Sequence, residues 1–413
     1  MQNTYAKTLN RSTLMFPLAL VLFELATYIC NDLIQPAMLP ITQHFGVSTT
    51  LAPSAMSLYL LGGACVAWLF GPLSDRFGRK KVLLSGVLFF TVCCILILFT
   101  QSMTQFLLLR FLQGVGLTIV SAVGYAAVQE SFQERDAVKV MALMTNISLL
   151  APLLGPVLGA FLIDHISWHW GFIFIAIMSL ISWYGLKRAM PEIPPSHQSQ
   201  SLLELFKGFK AVYADHHFLS LAIALPMVVL PLMLWIAISP IILVDELGLT
   251  SLQYGLFQIP VFAGLILGNI VLIKIVDRYP LGKTIFAGFP IMLAGALIAA
   301  VGLFIPSLLL PLLLIGLTLI SFGEGIAVSV VFRTAFSSSD RPKGTVAASM
   351  SMLNMLCFFS GIEIVRVLYS HFHIAAYIVA SIVIILTWFT FPRRALIQEM
   401  QKRELAESNT SSV

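Results

Sequence analysis

The chain has 413 residues, 58% hydrophobic and only 10% charged, with a net charge of +5 and a mean hydropathy of +0.93. Soluble domains carry about a quarter charged residues, so this composition excludes a water-soluble globular protein. The basic residues lie in short segments between apolar runs, which excludes the single basic patch of a nucleic-acid binder.

A bilayer is crossed by roughly 20 mostly apolar residues. Such runs are expected near 14–36, 51–70, 82–100, 104–127, 138–163 and 168–187, then near 218–243, 251–275, 284–304, 308–331, 345–368 and 372–391. The fold class expected is an all-α membrane protein of 12 transmembrane helices in two six-helix halves. The first run imitates a signal peptide, with Lys7 and Arg11 ahead of Leu14–Leu25. It continues past Glu24 to Pro36 without a small-x-small cleavage site, and reads as an uncleaved first span.

In span one, Glu24, Tyr28, Asn31 and Asp32 fall on one helical stripe. At 1.5 Å per residue, Glu24 lies about 15 Å deep and Asp32 about 27 Å along. Ionisable groups at mid-bilayer cost roughly 2.5–3.5 kcal/mol and are functional candidates by default. A static ion pair (for Asp32) or a polar group facing a water pocket (for Glu24) is the competing reading.

Between spans two and three stands Gly71-Pro72-Leu73-Ser74-Asp75-Arg76-Phe77-Gly78-Arg79-Lys80-Lys81. Gly71 is expected to let helices approach, Gly78 to permit a tight turn, and Asp75 to cap the next helix and pair with a basic residue. The basic cluster faces anionic lipid. The bland alternative is an ordinary positive loop.

Span four carries Leu107-x-x-Arg110-x-x-Gln113-Gly114-x-Gly116. Its direction puts Arg110 about 9 Å from the surface, at a depth comparable to Asp32, so the two could interact. Span five carries Gly155-Pro156-Val157-Leu158-Gly159, a bent helix with a close-contact groove. Asp164, Glu363 and Arg366 are placed at helix ends facing water or headgroups, and Glu324 toward the inner end of span ten in a structural role. Met56, Met144, Trp235, Tyr254, Gln258, Asn354 and Phe358, with Tyr28, are candidate substrate contacts, because adaptable Met and aromatic groups suit variable apolar ligands. Ordinary packing or a lipid-facing position is the competing reading for each.

The five cysteines, Cys30, Cys65, Cys93, Cys94 and Cys357, lie in apolar runs without metal-ligand spacing and read as small packed residues. Met190 to His217 is a linker opening on Pro191, Pro194 and Pro195. Its Leu202, Leu203, Leu205, Phe206, Phe209, Val212 and Tyr213 then recur at helical spacing opposite Lys207 and Lys210, as in a helix lying on the leaflet. Expected boundaries are 1–188 for the first half, 189–217 for the linker, 218–392 for the second half and 393–413 for a tail. Asp277-Arg278 and Gly282-Lys283 form a degenerate echo of the first-half loop. With both termini cytoplasmic, all 24 basic residues except Arg110 and Arg366 fall in inside loops or tails.

These motifs resemble the major facilitator superfamily over nearly the whole chain, and the span-five segment its drug/proton antiporters. Phe23–Pro36, Arg110–Gly114, Val123–Glu130, Ala151–Pro156, Tyr254-Gly255-Leu256-x-Gln258, Lys343–Val346 and Gly361–Ile364 narrow the resemblance to MdfA-type multidrug antiporters, nearest the chloramphenicol exporters among them. The resemblance implies a multi-pass protein of the bacterial inner membrane that exports lipophilic drugs such as chloramphenicol, and cations, in exchange for protons. It further implies that the protein works as a monomer and without a cofactor. Glu24 and Asp32 would couple protons and Arg110 would be the essential span-four arginine. Asp75 and its basic neighbours would stabilise one conformation. Tyr28, Asn31, Met144, Trp235, Tyr254 and Gln258 would line the drug cavity. Cys30 stands where these relatives are expected to carry Gly, and Glu324 departs from their pattern. A proton-coupled metabolite importer, a membrane enzyme and a channel are the rival readings. No nucleophile–base pair, metal cluster or phosphate loop supports the enzyme.

Overall fold

The computed structural model describes residues 13–192, 202–275, 281–339, 341–391 and 395–398. Among them, twelve long helices fall on the twelve expected spans: Met15–Asp32, Ser54–Phe77, Arg79–Leu96, Met103–Ile119, Glu134–His165, His169–Ala189, His216–Pro240, Ser251–Ile275, Leu281–Gly302, Leu309–Ser337, Lys343–Phe372 and Ile374–Thr390. Ten helical stretches are long and apolar enough to cross a membrane, and spans five and nine contribute the apolar stretches Leu154–Ile163 and Phe286–Gly302. Helix is the expected answer, because in lipid each backbone N–H and C=O must find its partner within the segment.

Span one does not stop at Pro36. It passes through a tight turn at Gln35–Ala37 into a further helix at Met38–His44. Pro36 sits at the start of that turn, where its missing N–H is not required. Span four widens into a π-helical turn at Val120–Gly124 and continues as Tyr125–Ser131. Gly78, at φ 93°, makes the bend from span two to span three. Spans eleven and twelve are joined by His373 alone, at φ 50°.

The chain forms two compact units. The first comprises residues 1–205 together with 243–256. Its helices meet through small residues, as membrane helices do in the absence of a hydrophobic drive between them. Gly62 of span two lies against the Phe111 carbonyl, and Gly114 of span four against the Tyr59 carbonyl. Thr118 Oγ1 adds a hydrogen bond to Gly63 O at 2.9 Å. Span six is tied to span one by Ser182 Oγ donating to Ala19 O at 2.6 Å. The segment 243–256 joins this unit through Thr49 Oγ1 donating to Asp245 Oδ2 at 2.8 Å.

The second unit comprises residues 206–242 and 257–413. Spans nine and ten pack reciprocally: a Cβ on Gly295 would stand 2.5 Å from Gly316 O, and one on Gly316 2.5 Å from Gly295 O. The linker helix, Leu202–Tyr213, is docked on this unit as well as amphipathic. Phe209 and Val212 are buried, and Tyr213 donates its hydroxyl to Ser349 O at 2.8 Å. The side chains of Leu202, Leu203 and Leu205 lie outside the described residues. The polarity of the whole is inverted: Phe304 is 85% exposed and Phe99 72%, whereas Arg110 and Gln113 are 0% exposed.

Candidate functional site

Arg110 is buried and bonded through all three of its guanidinium nitrogens. Its Nε donates to Ala55 O at 3.3 Å. Nη1 donates to Cys30 O at 3.2 Å, to Cys30 Sγ at 3.2 Å and to Gln113 Oε1 at 2.9 Å. The guanidinium carbon stands 4.7 Å from the centre of the Tyr59 ring. Only a planar fork of five N–H donors can serve so many acceptors at once.

The expected Asp32–Arg110 pairing takes another form. Among the described residues the two make no ion pair, and Asn31 stands between them. Arg110 Nη2 donates to Asn31 Oδ1 at 3.5 Å, and Asn31 Nδ2 donates to Asp32 Oδ1 at 3.1 Å. Asp32 Oδ2 has no hydrogen-bond partner among the described residues, although Asp32 is only 4% exposed.

Glu24 is similarly buried at 2% exposure. Tyr125, the first residue after the π-helical turn, donates its hydroxyl to Glu24 Oε1 at 3.1 Å. Glu24 Oε2 is without a partner among the described residues. Burial in a low-dielectric medium favours the neutral acid, and donors and cations favour the carboxylate. A change in the few polar neighbours of either group therefore changes its hold on a proton.

The span-five motif serves this acid directly. Gly155 lies against Asp32, and Gly159 against the Leu33 carbonyl and 2.9 Å (for a built Cβ) from the Pro36 ring. Pro156 is buried, and a Cβ on Gly255 would be 3.2 Å from Pro156 O. Met56, Met144 and Tyr254 are buried in the same unit, and Tyr28 is half-buried.

The other predicted contacts lie in the second unit. Trp235 Nε1 donates to Gln258 Oε1 at 2.8 Å, and Gln258 Nε2 donates to Ser239 Oγ at 3.4 Å. Trp235 also packs on Tyr377, with ring centres 5.6 Å apart. Asn354 and Phe358 are half-buried, and Asn354 Oδ1 has no partner among the described residues. Glu324 sits mid-helix in Leu309–Ser337 rather than near its inner end. It is 3% exposed, and its Oε2 too lacks a partner among the described residues.

The loop after span two is a charge clasp centred on Arg79. Its Nη2 lies 2.5 Å from Asp75 Oδ1 and 2.9 Å from Glu130 Oε1. Its Nε donates to Glu130 Oε2 at 3.2 Å, and its Nη1 to Gly71 O at 3.4 Å and to Ser74 Oγ. Asp75 is thus bonded to Arg79 and does not cap the next helix; span three begins at Arg79, with Gly78 at the N-cap position and no side-chain cap. Gly71 does not mediate close helix contact either, since a Cβ there would meet nothing within 4 Å. Its carbonyl is what the clasp uses. Arg76 is exposed, its guanidinium 5.5 Å from the centre of the Phe77 ring.

Sequence reasoning missed the site roles of Gln113, Tyr125, Tyr59 and Glu130. Glu130 carried a signal: an acid at the end of span four, level with a basic loop. Cysteine burial holds for Cys30, Cys93 and Cys94, whereas Cys65 is exposed and Cys357 half-exposed. The Glu363 and Arg366 side chains pair with each other at 2.7 Å. The Asp164 side chain, Asp277, Arg278 and the Lys283 side chain lie outside the described residues. No cluster of three metal-ligating side chains occurs among the described residues.

The Major Facilitator Superfamily model matches residues 20–362. The chain is 65% identical over 403 residues to the chloramphenicol resistance protein CraA of Acinetobacter baumannii, covering 98% of both chains. It is 46% identical over 368 residues to the multidrug transporter MdfA of Escherichia coli O6:H1, covering 88% of this chain and 90% of the relative. In fold it is similar to a D-xylose–proton symporter, at a TM-score of 0.70 and 15% identity over 92% of this chain and 98% of that one. It is likewise similar to a bacterial homologue of the lysosomal transporter Spinster, at a TM-score of 0.69 and 15% identity over 95% of this chain and 98% of that one. A match spanning most of the chain, with these two curated relatives, makes it a member of the major facilitator superfamily.

Proposed function

We propose that the chain exports small lipophilic drugs, chloramphenicol among them, across the bacterial inner membrane in exchange for protons. The observation that carries this reading is the pair of buried acids in span one. Glu24 and Asp32 each keep one carboxyl oxygen without a partner among the described residues, in a chain similar to a chloramphenicol resistance protein and a multidrug transporter.

In this mechanism Asp32 loads a proton from outside, with Glu24 as the second acid. Arg110 holds the backbone of span one and, through Asn31, senses the charge on Asp32. A cationic drug displaces the proton by charge. A neutral drug must favour the conformation that holds the proton less tightly, since no ligand shifts an equilibrium without differential affinity. Tyr28, Met56, Met144, Tyr254, Trp235 and Phe358 supply adaptable apolar contact, and Gln258 and Asn354 supply polar groups. Residues 1–188 and 218–392 act as the two moving halves, both termini lie in the cytoplasm, and a single chain suffices. The proton gradient is the only energy source, with no bound cofactor.

The test is drug-induced proton release from purified protein, with wild type beside Asp32→Asn and Glu24→Gln, using chloramphenicol and a lipophilic cation. Release abolished by one substitution identifies the competing carboxyl. Drug binding without release in the wild type, at several pH values, would sink direct antiport.

A further inference from the structure

A cleft of 640 Å³ opens between spans two, three and four of the first unit, away from the buried acids. Phe70, Leu73 and Phe77 form one wall, Val82 and Phe89 the other, and Val115 and Ile119 the floor. Gly86 leaves the room that Ile119 enters. Among the described residues, Lys81 is the charged one lining it, with Ser85 one turn further in. From Lys81 to Phe89 the cleft runs about 12 Å along the helix axis, toward the bilayer interior.

The charges at its mouth are unequal. Among the described residues, the clasp engages the carboxylates of Asp75 and Glu130 on Arg79. Lys80 and Lys81 make no ion pair among the described residues, and Arg76 rests on the Phe77 ring. A cationic mouth over a long apolar cleft matches a ligand with an anionic head and a hydrocarbon tail.

We propose that this cleft is a binding site for one anionic phospholipid, its phosphate on Lys81 and an acyl chain along Leu73, Val82, Phe89 and Val115. The inference rests on the chain's placement in a membrane and not on its drug specificity.

The test uses the full-length protein in mild detergent, with dioleoylphosphatidylglycerol or dioleoylphosphatidylcholine added and bound lipid counted by native mass spectrometry. The expected result is one phosphatidylglycerol held more tightly than phosphatidylcholine. Lys81→Gln should weaken phosphatidylglycerol about fivefold and leave phosphatidylcholine unchanged. Val115→Phe, which fills the floor, should weaken both lipids. Lys80→Gln, on a residue outside the cleft, should have the smaller effect. Equal losses from Lys80→Gln and Lys81→Gln would show diffuse attraction and overturn the site. So would full phosphatidylglycerol binding by Lys81→Gln or by Val115→Phe, or displacement of the lipid by chloramphenicol. Lipid binding that follows the expected pattern without drug-induced proton release faults the transport reading alone; release without selective lipid binding faults only this site.

Discussion

Gly155 of span five is pressed so closely on Asp32 of span one that a Cβ built on it would stand 2.7 Å from the Asp32 Cβ and 3.2 Å from the Asp32 carbonyl carbon. The glycine motif and the buried acid are therefore one structure. A methyl group added there must push the two spans apart at the acid.

Gly155→Ala is expected to destabilise the protein by about 1–3 kcal/mol, the usual cost of overpacking, and to reduce drug-induced proton release. Gly71→Ala is the control within the other glycine motif. Nothing lies within 4 Å of its built Cβ, so its melting temperature in detergent should be unchanged or slightly higher, since Ala is the better helix former. Equal losses at both positions would show that the contact with Asp32 is not what matters.

Arg110→Lys should cut transport about tenfold or more while the protein is still made in the membrane. Lysine keeps the charge but has three donors on one point, and cannot serve the carbonyls of Ala55 and Cys30, Gln113 and Asn31 together. Transport by Arg110→Lys at the wild-type rate would mean that charge alone is required.

The Arg79–Glu130 pair is partly open to solvent, with side chains 13% and 35% exposed. A double-mutant cycle of Arg79→Ala and Glu130→Ala on thermal stability should therefore return a coupling of only about 1 kcal/mol. The exchange Arg79→Glu with Glu130→Arg should recover part of the transport that either change removes. A coupling near zero, with no recovery, would dissolve the clasp.

His373 holds φ 50° and ψ −141°, a region that side chains other than glycine enter at a cost of about 1–3 kcal/mol. His373→Gly is expected to raise stability by about 1 kcal/mol, read as a higher melting temperature at unchanged transport. A lower melting temperature would show that the imidazole, 6.0 Å from the Tyr369 ring, contributes more than the backbone costs.

The twelve helices and the clasp motif were legible because both rest on local rules, the length of an apolar run and the spacing of a loop. The Gly71 expectation failed because hydropathy cannot say which face of a span meets protein and which meets lipid, both being apolar. The same ambiguity misplaced Cys65. The stripe Glu24-Tyr28-Asn31-Asp32 located the acids but not their partners. Tyr125 lies 101 residues from Glu24, and Asn31, read as a drug contact, is what links Asp32 to Arg110 because adjacent residues on a helix point about 100° apart. Glu324 was read toward a helix end because span ten runs six residues past its expected limit of 331, to Ser337.

The one-residue joint at His373 also couples the two spans it connects. Phe372 ends a helix of 30 residues and Ile374 begins one of 17. A joint of one residue leaves no slack, so a shift of either span along the membrane normal at this end must carry the other with it.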